Sequence, residues 1–278
     1  MLNIIKSDLY RIFKGKAIYV TILVMSVLMI ANAISVSIIN IGGKTSANIG
    51  DGTGMEFMVE LQNANTLKDF REVMMRYREY PLDQEMIADN INLYYFFIVI
   101  VVIVLCTDFS NKSIKNTLSS AISKKKYYLS KVILIFGICT FLVLFSNYFF
   151  YLLNILVNGK ALSSSLLDIT KYTLLQLPMI YGIISLLICF AFTFKKTSRF
   201  STITIPFILV LQLIVIAFIS LFRIEANWFY NYEFQYALMN LVISPTNAYI
   251  LKCVLLGIFY IIIFNGIGYY TFKNTEIK

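Results

Sequence analysis

The sequence predicts an all-α membrane protein of six transmembrane helices with both termini in the cytoplasm, on three observations. Of its 278 residues, 59% are hydrophobic and only 14% charged. Soluble domains are about half apolar and a quarter charged, so a soluble core could not hide this much apolar surface. The apolar residues gather into six runs, each close to the roughly 20 residues that cross about 30 Å of hydrocarbon as a helix. Basic residues crowd the gaps between alternate runs, the asymmetry that places those gaps inside.

The elements follow in chain order. Residues 1–16 put Leu2, Ile5, Leu9, Ile12 and Phe13 on one helical face, with Lys6, Arg11 and Lys14 elsewhere. That pattern predicts an amphipathic helix lying in the inner interface. The expected spans are Ala17–Ile39, Ile87–Thr107, Val132–Val157, Thr173–Phe194, Ser201–Phe222 and Tyr249–Phe272. Asp89, Asn90 and Asn92 place the start of the second span at the interface, with Asp83 after Pro81 as its N-cap. Pro178 and Pro206 permit kinks in the fourth and fifth spans. Between the first two spans lies a large extracellular loop, residues 40–86. It opens glycine-rich and then repeats Phe57, Leu61, Ala64, Phe70, Met74 and Tyr77 at helical spacing, which predicts a helix over 55–80 packed on the outer mouth, with a partly disordered loop as the alternative. Residues 108–131 form the main cytoplasmic loop. Residues 223–248 form an extracellular segment rich in Trp228, Phe229, Tyr230, Tyr232, Phe234 and Tyr236, suited to an interfacial or re-entrant hairpin.

Charge sets the orientation. The segments assigned to the inside hold Lys6, Arg11, Lys14, Lys16, Lys112, Lys115, Lys124, Lys125, Lys126, Lys131, Lys195, Lys196, Arg199, Lys273 and Lys278. Their only acids are Asp8, Asp108 and Glu276, whereas in residues 40–86 acids outnumber bases. A net charge of +9 would suggest nucleic acid in a soluble protein. Beside apolar spans it points instead to topology and anionic lipid, with no nucleic-acid partner.

The residues leave little room for catalysis. Histidine is absent, which removes the commonest metal ligand and general base. Cys106, Cys139, Cys189 and Cys253 each fall inside an apolar run without metal-ligand spacing, so they read as small buried hydrophobes. Gly43, Lys44 and Thr45 resemble the end of a phosphate loop, but Ile38 stands where the first glycine belongs and a span precedes them rather than a strand. No carboxylate sits mid-span, so an ion-coupled transporter is hard to build. If the chain moves something, the energy comes from another subunit. Within the spans Asn147, Asn154, Tyr151, Gln176, Tyr181 and Gln212 either bond neighbouring helices or line a translocation path.

The inner loop carries the most pattern. It reads Asp108, Phe109, Ser110, Asn111, Lys112, Ser113, Ile114, Lys115, Asn116, Thr117, Leu118, then Ala121, Ile122, Ser123, Lys124, Lys125, Lys126, Tyr127, Tyr128 and Lys131. Ile114, Leu118, Ala121 and Ile122 share a face of a short helix surrounded by lysine, either a lipid-anchored connector or a knob for a groove on a cytoplasmic partner. The order of acid, aromatic, asparagine, small residue, Ile-Lys-Asn, and then Ile-Ser-basic resembles the loop after the second span of ABC type-2 exporter permeases. Within them the likeness is greatest to the bacterial branch of antimicrobial-peptide and lantibiotic export and immunity. The layout resembles theirs too: interfacial N-terminal helix, six spans, large first outer loop, aromatic segment before the last span. Lys112 and Ser113 stand where that family often has Gly-Thr, and Lys124 where arginine is common.

The resemblance implies a permease subunit of the bacterial inner membrane, one domain over residues 1–278, paired with a second permease half as a homodimer. A separate cytoplasmic ABC subunit would bind ATP and magnesium, leaving this chain with no cofactor and no enzymatic activity. Asp108, Phe109, Asn111, Ile114, Lys115, Leu118, Ile122, Ser123 and Lys124 would form the coupling helix seated on that subunit, with Lys195 to Arg199 a smaller contact. The spans' aromatic lining and the acidic outer loop favour amphipathic cationic peptides as cargo. Lipophilic drugs or lipids are the alternative cargo, and a non-transporting scaffold or sensor that recruits a cytoplasmic partner is the alternative function.

Overall fold

A computed structural model describes residues 2–39, 81–88, 93–119, 122–158, 163–207, 234–243 and 245–275, with single positions 63, 90 and 160 between them. Every element among the described residues is helical. Five helices, Lys16–Ala33, Leu93–Ser110, Lys124–Leu156, Leu166–Phe194 and Asn247–Lys273, are long and apolar enough to cross a membrane. They match five of the six expected spans. The remaining one, Ser201–Phe222, is helical as far as it is described, in a helix that starts at residue 197 and reaches 207. Its other residues, including Gln212, lie outside the described residues. So do the helix expected over 55–80 and the tryptophan-bearing part of the aromatic segment.

In chain order, α1 (Leu2–Lys14) runs through Gly15 into α2 (Lys16–Ile39). A short α3 (Leu82–Ala88) precedes α4, which spans Leu93–Ser110 and is interrupted by a π-helical turn at Val102–Cys106. Then come α5 (Ser113–Ser119), α6 (Lys124–Asn158), α7 (Leu166–Phe194), α8 (197–207), α9 (Phe234–Ile243) and α10 (Asn247–Lys273). Two helices begin earlier than the apolar runs predict: α6 at Lys124 rather than Val132, and α7 at Leu166 rather than Thr173. A helix does not stop where the hydrocarbon stops. At 1.5 Å per residue α6 is about 50 Å long and outreaches the bilayer core.

The second expected span is corrected at its start. Ile87 and Ala88 belong to α3, Asn90 is not helical, and α4 begins at Leu93. Asp83 is not the N-cap either. It lies inside the first turn of α3, wholly buried, and accepts from Ser164 N (3.0 Å), Ser164 Oγ (3.0 Å) and Gln84 N (3.1 Å). Gln84 Nε2 donates to Val242 O of α9 at 2.8 Å. The last residues of the outer segment are therefore part of the bundle, tied to the α6–α7 connection and to α9.

Local chemistry explains the other ends. Ser165 caps α7, accepting from Asp168 N at 3.1 Å while its hydroxyl donates to Asp168 Oδ2 at 2.7 Å, and Thr246 caps α10. Such caps are worth about 1 kcal/mol each. At the opposite end of α10, Lys124 Nζ donates to the carbonyls of Lys273 and Thr275, both at 2.8 Å, so a cation neutralises orphan carbonyls at a helix C-terminus.

The most extensive helix pair is α7 with α10. Glycines let their backbones meet. A methyl group on Gly257 would lie 2.5 Å from Pro178 O, one on Gly182 3.1 Å from the Tyr260 Cβ, and one on Gly268 3.2 Å from the Cys189 Cα. Small residues at such crossings are what membrane helices use in place of the hydrophobic effect. Where the C-terminal ends of α4, α7 and α10 meet the start of α6, Phe109, Tyr127, Tyr128, Phe192 and Phe272 interlock, with Tyr128–Phe192 at 4.7 Å, Phe192–Phe272 at 4.8 Å and an edge-on Phe109–Phe192 pair at 5.8 Å.

Lys112, between α4 and α5, has φ +56°, a left-handed backbone that costs an L-residue roughly 1–2 kcal/mol and glycine almost nothing. This is the position where the resembled family often has glycine. Lys112→Gly is expected to leave the turn intact and raise the melting temperature slightly, whereas Lys112→Val lowers it. Melting curves of the two variants check this.

Candidate functional site

Four charged side chains meet where α1, the C-terminal end of α4 and the N-terminal part of α6 converge. Asp8 and Arg11 sit one helical turn apart on α1, with Arg11 Nη2 3.2 Å from Asp8 Oδ1. Arg11 Nη1 also donates to Asp108 Oδ1, near the end of α4. Lys131, on α6, donates to Asp8 Oδ2 at 2.6 Å and pairs with Asp108 Oδ2. Tyr127 OH donates to the same Asp108 oxygen at 2.8 Å. Lys131 is 1% exposed, Asp108 4% and Asp8 7%. Two cations and two anions balance, which is what makes burial of so much charge tolerable.

The π-turn contributes to the same cluster. Its wider winding sends the Thr107 N–H back to Val102 O, and the carbonyl of Val104 accepts from Lys131 Nζ at 3.3 Å and Arg11 Nη2 at 3.5 Å. Single π-turns of this kind are frequent at functional sites. Arg11 lies outside the spans; burial works against its charge, but the Asp108 hydrogen bond and the two carboxylates more than offset this, and its pKa is raised. Every charge in the cluster is paired with an opposite one, and the ion pairs tie three helices together.

Several of the expected coupling residues make contacts within the chain. Asp108 is a buried anchor, and Phe109 is half-buried in the aromatic knot. Ile114 is 2% exposed and packs into the chain's own core, with Leu118 and Ile122 partly buried against it. The bundle itself covers Ile114, while Leu118 and Ile122 keep part of their surface exposed. Lys124 caps α10. What remains on the outside is polar: Asn111, Lys112, Lys115, Asn116, Ser119 and Ser123. Ser110 Oγ lies 2.9 Å from Thr197 Oγ1, so this turn is hydrogen-bonded to the second inner loop.

The expected path residues are placed on the facing sides of α6 and α7, except Gln212. They form rungs: Asn154 Nδ2 donates to Ser163 Oγ at 3.1 Å just before α7, and Asn147 Nδ2 to Thr173 Oγ1 at 3.0 Å and Gln176 Oε1 at 3.3 Å. Tyr181 OH lies 2.8 Å from Thr140 Oγ1, its ring stacked on Phe136 at 4.7 Å. Tyr151 is half-buried on the same helix as Asn147. Beside Asn147 and Gln176, between α3, α4, α6, α7 and α9, lies a cavity of about 20 Å³ that Asn90 and Gln235 also line. That volume holds about one water. The rungs act as interhelical hydrogen bonds, of the kind worth about 0.6 kcal/mol each in a membrane.

Sequence reasoning missed the charge cluster. Its signal was present: Asp8 and Asp108 are exceptions in segments that are otherwise basic. It also missed the Asp83 latch, where burial raises the carboxyl pKa and the bonds from Ser164 only partly offset that effect. Asp83 is thus not part of any acidic outer surface. Compared with protein-family models, curated proteins and solved structures, the chain matches none.

Proposed function

We propose that this chain is the membrane-spanning permease subunit of an ATP-driven ABC exporter, working as a dimer with a cytoplasmic ATP-binding subunit in a bacterial inner membrane. The observation that carries the reading is the short helix after the second described span. Its sequence resembles the coupling segment of ABC type-2 permeases, its apolar side is packed into the chain, and its polar side is exposed. The charge cluster supports it: a push on α5 reaches α4 through one turn, and from Asp108 it reaches α1 and α6 together. Five long apolar helices fit the membrane, and the basic segments support the reading that both termini lie inside. The cargo is an amphipathic cationic peptide, a reading supported by the excess of acids over bases in residues 40–86 and by the aromatic spans. Lipophilic drugs or lipids are the second cargo reading, since an aromatic interior also suits them.

The coupling face can be tested without disturbing the fold. Lys115→Glu with Asn116→Asp changes two exposed residues, so the protein should melt as the wild type does. Cells that express the chain with its ATP-binding subunit should survive several-fold more of a membrane-active cationic peptide than cells without it, and the double variant should lose that margin. Full protection by the double variant would remove α5 from the coupling role. Tolerance altered only for a neutral lipophilic drug would replace the peptide cargo by the second reading.

A further inference from the structure

Four carboxamide side chains, Asn90, Asn147, Gln176 and Gln235, line the small chamber between α3, α4, α6, α7 and α9. Two of them are deeply buried, Asn147 at 1% exposed and Gln176 at 5%. Their bonds to protein use only part of what two amides can make. Asn147 Nδ2 donates to Thr173 Oγ1 and to Gln176 Oε1. Among the described residues nothing donates to Asn147 Oδ1, and Gln176 Nε2 reaches only the Leu238 carbonyl, at 3.5 Å. An amide oxygen accepts two bonds and an amide nitrogen donates two, so one acceptor and one donor are left over. Lipid tails offer them no partner, and a polar group buried without one is costly. The match has to come from within the chamber.

Three properties select the occupant. The chamber's volume of about 20 Å³ admits one water and nothing larger. Its lining presents an acceptor in Asn147 and a donor in Gln176, so the occupant must both donate and accept. No carboxylate is among the described residues that line it. A sodium ion would meet the amide hydrogens of Gln176 with no negative charge to offset its lost hydration.

We propose that the chamber holds one resident water, which accepts from Gln176 Nε2 and donates to Asn147 Oδ1. Buried waters make about three hydrogen bonds, and the carboxamides of Asn90 and Gln235 line the same space as its further partners. The water then joins the α6–α7 rung to α9 through Gln235, and to the α3–α4 connection through Asn90. Nothing in this site depends on what the chain transports.

The test compares two substitutions of Val143, which lines the chamber and is 1% exposed, in the full chain in nanodiscs. Val143→Ile adds one carbon, which displaces the water and strands the Asn147 oxygen, so the melting temperature should fall by roughly 3–6 °C. Val143→Thr keeps the shape and offers the water a hydroxyl, so it should melt within about 1 °C of the wild type. A dry chamber reverses the order: isoleucine fills a void and melts higher, while threonine buries an unmatched hydroxyl and melts lower. That reversal, or equal melting of all three proteins, would overturn the proposal. Overpacking alone also lowers the isoleucine variant, but it leaves the threonine variant untouched, and a fall of several degrees there overturns the proposal whatever isoleucine does. A high-resolution structure of the wild type should show a solvent peak within hydrogen-bond reach of Asn147 Oδ1 and Gln176 Nε2, and the peak should be lost in Val143→Ile. A wild-type chamber without that peak would contradict the assignment. Exchange of sodium for choline in the buffer should leave the melting temperature unchanged. A fall on that exchange would mean that a cation takes the place of the water, and would overturn the proposal too.

Discussion

Lys131→Met should be among the most damaging single substitutions in the chain. The side chain is 1% exposed and bonds Asp8 and the Val104 carbonyl while pairing with Asp108. Methionine fills the space but leaves two buried carboxylates facing one guanidinium. Stranding a buried charge in this way costs about 3–5 kcal/mol. For a chain of this size each kcal/mol moves the melting temperature by roughly 2–4 °C, so a fall near 10 °C is expected, with poor yield. The cause is separable from lost packing. Adding Asp8→Asn to Lys131→Met restores the balance between Asp108 and Arg11, and should recover much of the loss, about 1–3 kcal/mol of coupling between the two positions. Melting curves of the two single variants and the double variant decide this. Strictly additive losses would show that the four charges do not act as a unit.

The second large effect belongs to Gly257. A Cβ there would meet Pro178 O at 2.5 Å, Pro178 C at 2.6 Å and Met179 N at 3.0 Å. These are backbone atoms and cannot rotate aside, so α7 and α10 must separate along their longest shared contact. Gly257→Ala should cost about 1–3 kcal/mol, the usual range for overpacking, and Gly257→Leu should prevent assembly of the pair. Gly266 is the control on the same helix. No atom lies within 4 Å of its added Cβ, so Gly266→Ala should be neutral or gain about 0.5–1 kcal/mol from helix propensity. Thermal stability of the two alanine variants in one detergent gives the comparison. Equal melting of both would refute the close crossing.

Hydropathy and charge made the framework legible. Five apolar runs appear as long helices, and the N-terminal amphipathic pattern appears as α1. What the pattern could not settle was which side of an apolar face is covered by what. Ile114 and Leu118 carry the periodicity of a docking helix, but the same periodicity arises when a helix packs on its own bundle, and Ile114 is buried there. Phe13 has the opposite history: grouped with Ile5, Leu9 and Ile12 on one face, it is 58% exposed while Asp8, a charged residue, takes an inward position. Lys131 was assigned to the loop because the apolar run begins at Val132. The helix starts at Lys124 instead, which carries Lys131 into the protein, where Asp8 and Asp108 wait for it. Asp83 was misplaced because Pro81 and an acid spell an N-cap locally, while its partner Ser164 is remote in sequence. Among the path residues, Asn147 and Gln176 were legible as polar groups within two of the spans, and the structure brings them together.

ATP hydrolysis by the purified assembly tests the central claim most directly. The chain should be co-expressed with an ABC ATP-binding subunit from its own cell, purified and reconstituted in lipid. The chain alone should hydrolyse no ATP. The complex should survive purification and hydrolyse ATP, and a membrane-active cationic peptide should change its rate several-fold. A chain that hydrolyses ATP unaided, or one that retains no ATP-binding subunit, would contradict the account.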